Sequence, residues 1–100
     1  SRFAGERMIV GIARIELEIP GSNSLKDRRQ VVKSLVGHLQ SKFHISVAEV
    51  DDPQVWRRAN IGVALVGTDT AFVNRVLDKV VDAVRGDPRV SIIDYEIEML

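Results

Sequence analysis

The sequence has 100 residues, of which 45% are hydrophobic and 28% charged, and its formal net charge is zero. A chain of this length and composition is typical of one globular domain with a single core, not of a disordered or fibrous protein. The absence of cysteine from the sequence excludes disulfides, thiolate metal sites and cysteine nucleophiles. The zero net charge excludes a uniformly basic nucleic-acid-binding domain, so a basic surface would require segregated charges.

Neither a membrane span nor a signal peptide is predicted. No run of about 18 apolar residues occurs, and the largely polar residues 1–7 precede an apolar stretch that is too short for a signal peptide. We therefore expect a cytoplasmic protein with no membrane contact. Because Met8 opens the first strand-like segment, we interpret residues 1–7 as a cloning remnant, an upstream start or a flexible arm, and residues 8–100 as a single domain.

The first half of the chain predicts a strand, a helix and a second strand. Apolar and charged residues alternate with a period of two over residues 8–19, which is typical of a strand, and residues 20–23 form a turn. Ser24 then resembles a helix N-cap, and Asp27 resembles the third position of a capping box. The apolar face of the helix that follows is made by Val32, Leu35, Val36, Leu39 and Phe43. Residues 45–50 predict a short second strand.

The second half repeats the order strand, helix, strand. A third strand is expected over residues 58–66, and Asp69 or Thr70 is expected to cap a second helix that ends at Gly86. The apolar face of this helix consists of Val73, Val76, Leu77, Val80 and Val84. A last strand is predicted over residues 90–99. One of its faces is expected to carry Ile93, Tyr95, Ile97 and Met99, alternating with Asp94, Glu96 and Glu98.

The predicted element order, β-α-β-β-α-β, indicates the fold. Two helices that are each apolar on one face need one sheet to cover, and right-handed crossovers then favour antiparallel strands in the order 4-1-3-2. The sequence therefore predicts an α+β fold of the ferredoxin-like (split βαβ) type, with both helices on one face of a four-stranded sheet. The uncovered face is expected to carry Met8, Val10, Ile12, Ala64, Val66, Val90 and Ile92.

This topology places many charged residues at the end of the domain where the first helix starts and strands 2 and 3 connect. The cations expected there are Lys26, Arg28, Arg29, Arg57, Arg58, Arg85 and Arg89, and the acids are Glu18, Asp27, Asp51, Asp52 and Asp87. A helix N-terminus with cations in its first turns suits phosphate. We therefore take as candidate anion- or RNA-binding residues Ser24, Lys26, Arg28, Arg29, Arg57 and Arg58. An ordinary solvated turn is the alternative interpretation.

Other residues that could carry chemistry give weaker signals. Trp56 either stacks on a base, as exposed aromatic residues do in single-strand binders, or folds back over the rim of the core. His38 and His44 have no partner at metal-ligand spacing, so no metal site is predicted. The alternating strand acids are typical of a wet sheet face, and the central strands lack the aromatic residues of an RNA-recognition motif. We predict no catalytic residue and no cofactor.

Three segments together resemble the YlxP-like family of small bacterial proteins. They are residues 24–29 (SLKDRR), 45–50 (ISVAEV) and 56–59 (WRRA), and the start MIVG at Met8 also fits. The resemblance covers residues 8–100 and implies a ferredoxin-like fold. It also implies an association with transcription and translation, because genes of this family often lie near genes for such factors. Ribosomal RNA or a ribosome-assembly particle is therefore an expected partner, and no catalytic residue is implied.

Three hypotheses about function follow. The first is a non-enzymatic RNA- or ribosome-associated binding module that uses the basic end of the domain in ribosome assembly or translation. The second is a homo-oligomeric protein-interaction domain without a nucleic-acid role, because an open apolar sheet face usually finds a cover, often a second copy. The third is an enzyme or small-ligand sensor at a dimer interface.

Overall fold

A computed structural model describes residues 7–51 and 55–100. Its elements in chain order are β1 (Ile9–Glu18), α1 (Leu25–Lys42), β2 (Ser46–Val50), β3 (Arg58–Gly67), α2 (Thr70–Arg85) and β4 (Ser91–Met99). The strands form one antiparallel sheet in the order β2-β3-β1-β4, and the side chains of both helices join one core cluster with one face of this sheet. The predicted ferredoxin-like fold and its strand order are thus confirmed. The predicted N-terminal remnant or arm lies outside the described residues apart from Arg7, and so does Asp52.

Local side-chain hydrogen bonds fix where the helices start. The Asp27 backbone N–H donates to Ser24 Oγ at 3.0 Å, which makes Ser24 the N-cap of α1. The Asp27 carboxylate accepts from the backbone N–H of Asn23 at 3.1 Å, one residue earlier than in a standard capping box. In α2, the Ala71 N–H donates to Asp69 Oδ1 at 2.8 Å. Of the two predicted caps, Asp69 is therefore the residue used.

The core lies between the sheet and the two helices. Alternate residues of β1, namely Ala13, Ile15 and Leu17, face the helices and are buried. The helices contribute Val32, Leu35, Leu39, Val73, Leu77, Val80, Val81 and Val84. The other members of the predicted stripes, Val36, Phe43 and Val76, are half-buried at its edge. Because each fully buried side chain of this size stabilises the fold by about 1.5–3 kcal/mol, these two stripes dock the helices on the sheet.

β4 contains an irregularity that the regular alternation predicted for this strand did not include. The pairing of β4 with β1 shifts between Glu16 and Leu17, where Asp94 lies opposite Glu16 but Ile92 lies opposite Leu17. The extra residue, Ile93, is a β-bulge and is 42% exposed. Ile92 consequently packs against the core, as does the buried Val90 just before the strand. The assignment of Val90 and Ile92 to the uncovered face of the sheet is therefore wrong.

Gly37 lies in the interior of α1 with open space around it. No heavy atom lies within 4 Å of the position that a Cβ would take there. We expect Gly37→Ala to raise the free energy of unfolding by about 0.5–1 kcal/mol, since glycine is a poor helix former and alanine adds no clash. Urea denaturation followed by circular dichroism measures the change. A destabilised variant would contradict the open surroundings of Gly37.

Candidate functional site

Two chain segments meet at the end of the domain where the sequence predicts that basic residues gather. The Ile19 N–H donates to the Arg57 carbonyl at 2.8 Å, and Arg57 Nε donates to the Ser22 carbonyl at 3.1 Å. Arg28 Nε donates to the Arg58 carbonyl at 2.7 Å. These three hydrogen bonds join residues 19–28, which run from the end of β1 into the first turn of α1, to the start of β3. We call residues 22–29 together with 55–58 the basic end.

Arg28 belongs to the interior of the basic end and not to its surface. Its side chain is 2% exposed and forms an ion pair with Glu49. Glu49 lies on β2 opposite Ile61, on the face of the sheet that the helices cover. A buried guanidinium that is already paired cannot reach a phosphate at the surface. The structure therefore removes Arg28 from the set of surface anion contacts predicted from the sequence.

Two further candidate residues at the basic end are engaged in local interactions. Ser24 is exposed in part, but its hydroxyl is the N-cap acceptor of α1. Arg58 is exposed and pairs with Glu16 of β1 at 3.4 Å, which offsets part of its charge. The N-terminus of α1 is also partly neutralised, because the Asp27 carboxylate accepts from Asn23 there. The helix terminus by itself is thus a poorer anion site than the sequence indicated.

Three exposed cations remain at the basic end. Lys26 and Arg29 lie in the first two turns of α1, and Arg57 lies in the β2–β3 connection. Within residues 7–51 and 55–100, no acidic side chain forms an ion pair with any of the three. Since α1 rises by about 1.5 Å per residue, Lys26 and Arg29 lie within about 8 Å of its N-cap along the helix axis. These three residues form the positive surface of the basic end.

Trp56 stands beside these cations. It is 53% exposed and takes no part in the hydrophobic core, and its neighbour Val55 is exposed as well. The interpretation in which Trp56 folds back over the rim of the core is therefore not supported by its position. An exposed indole next to exposed cations offers both a stacking surface and charges for a phosphate backbone.

The other two arginines predicted for this end are neutralised by neighbours. Arg89 contacts Asp87 through Nη2 at 2.7 Å and Nε at 3.0 Å, and its Nη1 donates to Ser34 Oγ of α1 at 2.9 Å. The hydrogen bonds from Arg89 hold the pKa of Asp87 below its usual value, and those to Asp87 raise the pKa of Arg89. Arg85 pairs with Asp82 at 3.2 Å. Neither arginine adds a free charge to the basic end.

A groove of about 780 Å³ runs between the two helices. His38, Lys42 and Phe43 line it from α1, and Lys79 and Asp82 line it from α2. His44, the other histidine, is exposed. Over the described ranges, no group of three or more His, Cys, Asp or Glu side chains has the geometry to hold a metal ion. The groove therefore presents scattered surface charges and not a clustered ligand set.

Nearly the whole domain, including the basic end, falls within a match to a known protein family. A family model described as "Protein of unknown function (DUF503)" matches residues 10–97. The chain belongs to this family. A relative, the uncharacterized protein YlxP of Bacillus subtilis (strain 168), is 28% identical over 83 residues, which cover 83% of this chain and 90% of that protein. The resemblance to YlxP-like proteins suggested by residues 24–29, 45–50 and 56–59 is thus confirmed.

A solved structure similar to this DUF503 member is the de novo designed protein Foldit4. It superposes with a TM-score of 0.54 at 12% sequence identity, over 93% of this chain and 96% of that one. At this identity the likeness supports the fold alone. Within the described ranges, no helix of this DUF503 member combines the length and hydrophobicity needed to cross a membrane.

Proposed function

We propose that this protein is a non-enzymatic RNA-binding module of the cytoplasm, whose partner is ribosomal RNA or a ribosome-assembly particle. The observation that carries the proposal is the basic end, where Lys26, Arg29 and Arg57 are exposed beside the exposed Trp56 and form no ion pair with an acid of residues 7–51 or 55–100. Two hydrogen bonds, from Arg28 to the Arg58 carbonyl and from Arg57 to the Ser22 carbonyl, join the segment that carries Lys26 and Arg29 to the segment that carries Arg57. The association of YlxP-like genes with translation agrees with this partner.

The chemistry of the surface fits a phosphate backbone with accessible bases. Cationic side chains bind phosphates in a salt-dependent manner because they release condensed counterions. An exposed indole stacks on an unpaired base, and such a contact contributes about 1–3 kcal/mol per base. Because this combination of cations and an exposed indole is confined to the small surface of the basic end, the expected RNA element is a loop or junction with unstacked bases and not a long duplex.

The test uses a transcribed fragment of small-subunit ribosomal RNA and the full chain, across a salt series. The test variant combines Lys26→Glu, Arg29→Glu and Arg57→Glu, all at exposed positions. We expect the affinity to fall about tenfold or more. The slope of log K against log salt should decrease by about 0.7–0.9 for each phosphate that the variant no longer neutralises. Filter binding or fluorescence anisotropy measures both quantities.

A matched control separates a local site from general charge. The control combines Lys42→Glu, Arg75→Glu and Lys79→Glu, which change the net charge equally at exposed positions of the two helices outside the basic end. Its affinity should fall far less than that of the test variant. Equal losses of affinity in both variants, or wild-type affinity that does not change with salt concentration, would contradict the proposed site.

Trp56→Ala should weaken binding to a single-stranded fragment more than to a duplex.

A further inference from the structure

The face of the sheet opposite the helices has no cover in the described part of the chain, and we call it the open face. Its side chains follow the register of the sheet from β4 through β1 and β3 to β2. One row across the sheet is Glu98, Ile12, Ala64 and Ser46, and the next is Glu96, Arg14, Gly62 and Ala48. The third row is Asp94, Glu16, Asn60 and Val50.

One part of the open face is apolar. Ile12 lies opposite Ala64, and Val10 lies opposite Val66, which is 64% exposed. The residues beside Ala64, namely Gly62, Ser46 and Ala48, have small side chains or none, and the Val50 side chain lies against Gly62. Contiguous apolar surface of this kind usually marks a site of contact with a partner.

The other part of the open face is acidic. On β4, Asp94, Glu96 and Glu98 form no ion pair with any cation of the described residues. The two arginines of the face pair with acids other than those of β4, since Arg14 pairs with Asp51 at 2.5 Å and Arg58 pairs with Glu16 at 3.4 Å. Neighbouring strands lie about 4.8 Å apart, so the acidic row of β4 directly borders the apolar strip of β1 and β3.

We infer that the open face docks a cationic amphipathic helix of another protein. A helix is about 10 Å across, which is the width of the two central strands, and sheet faces are commonly covered by helices. The apolar stripe of such a helix lies on Ile12, Ala64 and Val66, while its lysines and arginines reach Glu96 and Glu98. RNA does not fit this face, because the unpaired carboxylates repel phosphates. The surface is distinct from the basic end.

A second copy of this chain fits the open face poorly, because it offers no complementary charge to the acids of β4. Two copies that pack face to face are related by a two-fold axis in the plane of the sheet. If the axis runs along the strands, the β4 acids of one copy cover β2 of the other, where Ser46, Ala48 and Val50 carry no charge. If the axis runs across the strands, β4 covers β4 and the acids face each other. Neither arrangement gives the buried carboxylates a free cation, since the Arg14 guanidinium at the end of β2 is already paired with Asp51, and burying carboxylates unpaired is costly.

The experiment is a titration of the full ¹⁵N-labelled chain, followed by two-dimensional NMR. The probe is an 18-residue helix-forming peptide with a leucine stripe and lysine flanks, and the control peptide carries glutamine in place of every leucine. We expect the leucine peptide to shift amide signals of the open face, such as those of Ile12, Ala64 and Glu98. The glutamine peptide, with the same charge, should bind at least tenfold more weakly.

Paired variants of the chain complete the test. Glu96→Gln with Glu98→Gln should weaken binding of the leucine peptide about tenfold, whereas Asp78→Asn with Asp82→Asn, two exposed acids of α2, should leave it within twofold. The basic-end variant at Lys26, Arg29 and Arg57 should also bind the peptide normally, which separates this proposal from the RNA proposal. Shifts confined to the helices, equal binding of both peptides, or a dimer by sedimentation that occupies the open face would each overturn the inference.

Discussion

Replacing Arg28 by alanine is expected to lower the free energy of unfolding by about 3 kcal/mol, the largest effect of any single charged residue at the basic end. The side chain is buried and paired with Glu49, and its Nε donates to the Arg58 carbonyl at 2.7 Å. Truncation removes the partner of Glu49 and one donor to a backbone carbonyl, and it leaves space where the long aliphatic stem was packed. Because the Glu49 side chain is 28% exposed and keeps access to water, the lower part of the range for broken buried pairs is expected.

The neighbouring Arg29 provides the matched control. It has the same charge and lies in the same turn of α1, but it is exposed. We expect Arg29→Ala to change the free energy of unfolding by no more than about 0.5 kcal/mol. Urea denaturation of both variants gives the comparison. If Arg28→Ala were as mild as Arg29→Ala, Arg28 would be a surface residue and should be restored to the candidate anion site.

A double replacement tests whether the ion pair between Arg28 and Glu49 is needed for stability. Buried ion pairs often contribute little more than well-packed apolar residues of similar volume. Arg28→Met combined with Glu49→Leu should therefore recover much of the stability that Arg28→Ala loses. Variants at Arg28 and Glu49 test folding, whereas variants at Lys26, Arg29 and Arg57 test RNA binding. The two sets share no residue, so their effects can be separated.

The positions of Arg28 and Arg29 on α1 show that the burial of one arginine could be predicted from the sequence but its partner could not. Arg28 precedes Val32 by four residues, Leu35 by seven and Leu39 by eleven, so it lies on the buried centre of the apolar stripe of α1. Arg29 precedes Val36 by seven residues and so lies at the half-buried edge of the stripe. The helical period therefore contained the signal for a buried arginine. The identity of its partner was not readable, because Glu49 approaches only after β2 has paired with β3.

The β-bulge in β4 and the ion pairs between strands likewise depend on contacts that the local sequence does not give. The adjacent apolar pair Ile92 and Ile93 cannot both face the core in a regular strand, so a bulge could have been suspected, but its place depends on the register with β1. The helix caps at Ser24 and Asp69 were predictable because they depend on residues within three positions. The pairing of Arg58 with Glu16 and of Arg14 with Asp51 was not, since those residues meet only across strands.

The second large effect is expected for Gly11→Ala, which should lower the free energy of unfolding by about 1–3 kcal/mol. Gly11 lies on β1 directly beneath α2. A Cβ there would overlap Val73 Cγ1 and would lie 2.9 Å from Leu77 Cδ1, and both side chains are fully buried. The flexible end of Met99 can move aside, but a buried valine has few rotamers, so α2 itself must shift.

A double-mutant cycle with Val73→Ala tests that cause directly. Val73→Ala alone leaves a cavity and destabilises the protein, but in the Gly11→Ala background it also removes the methyl group that clashes. The cost of Val73→Ala should therefore be smaller in that background, with a coupling energy of about 0.5–3 kcal/mol, measured by urea denaturation of the four proteins. If the losses of unfolding free energy from the two substitutions were additive, a group other than Val73 would move to accommodate the new Cβ. Gly11 and Ile19 lie eight residues apart on β1 and its extension, about 27 Å, so RNA binding at the basic end should survive in every folded member of the cycle.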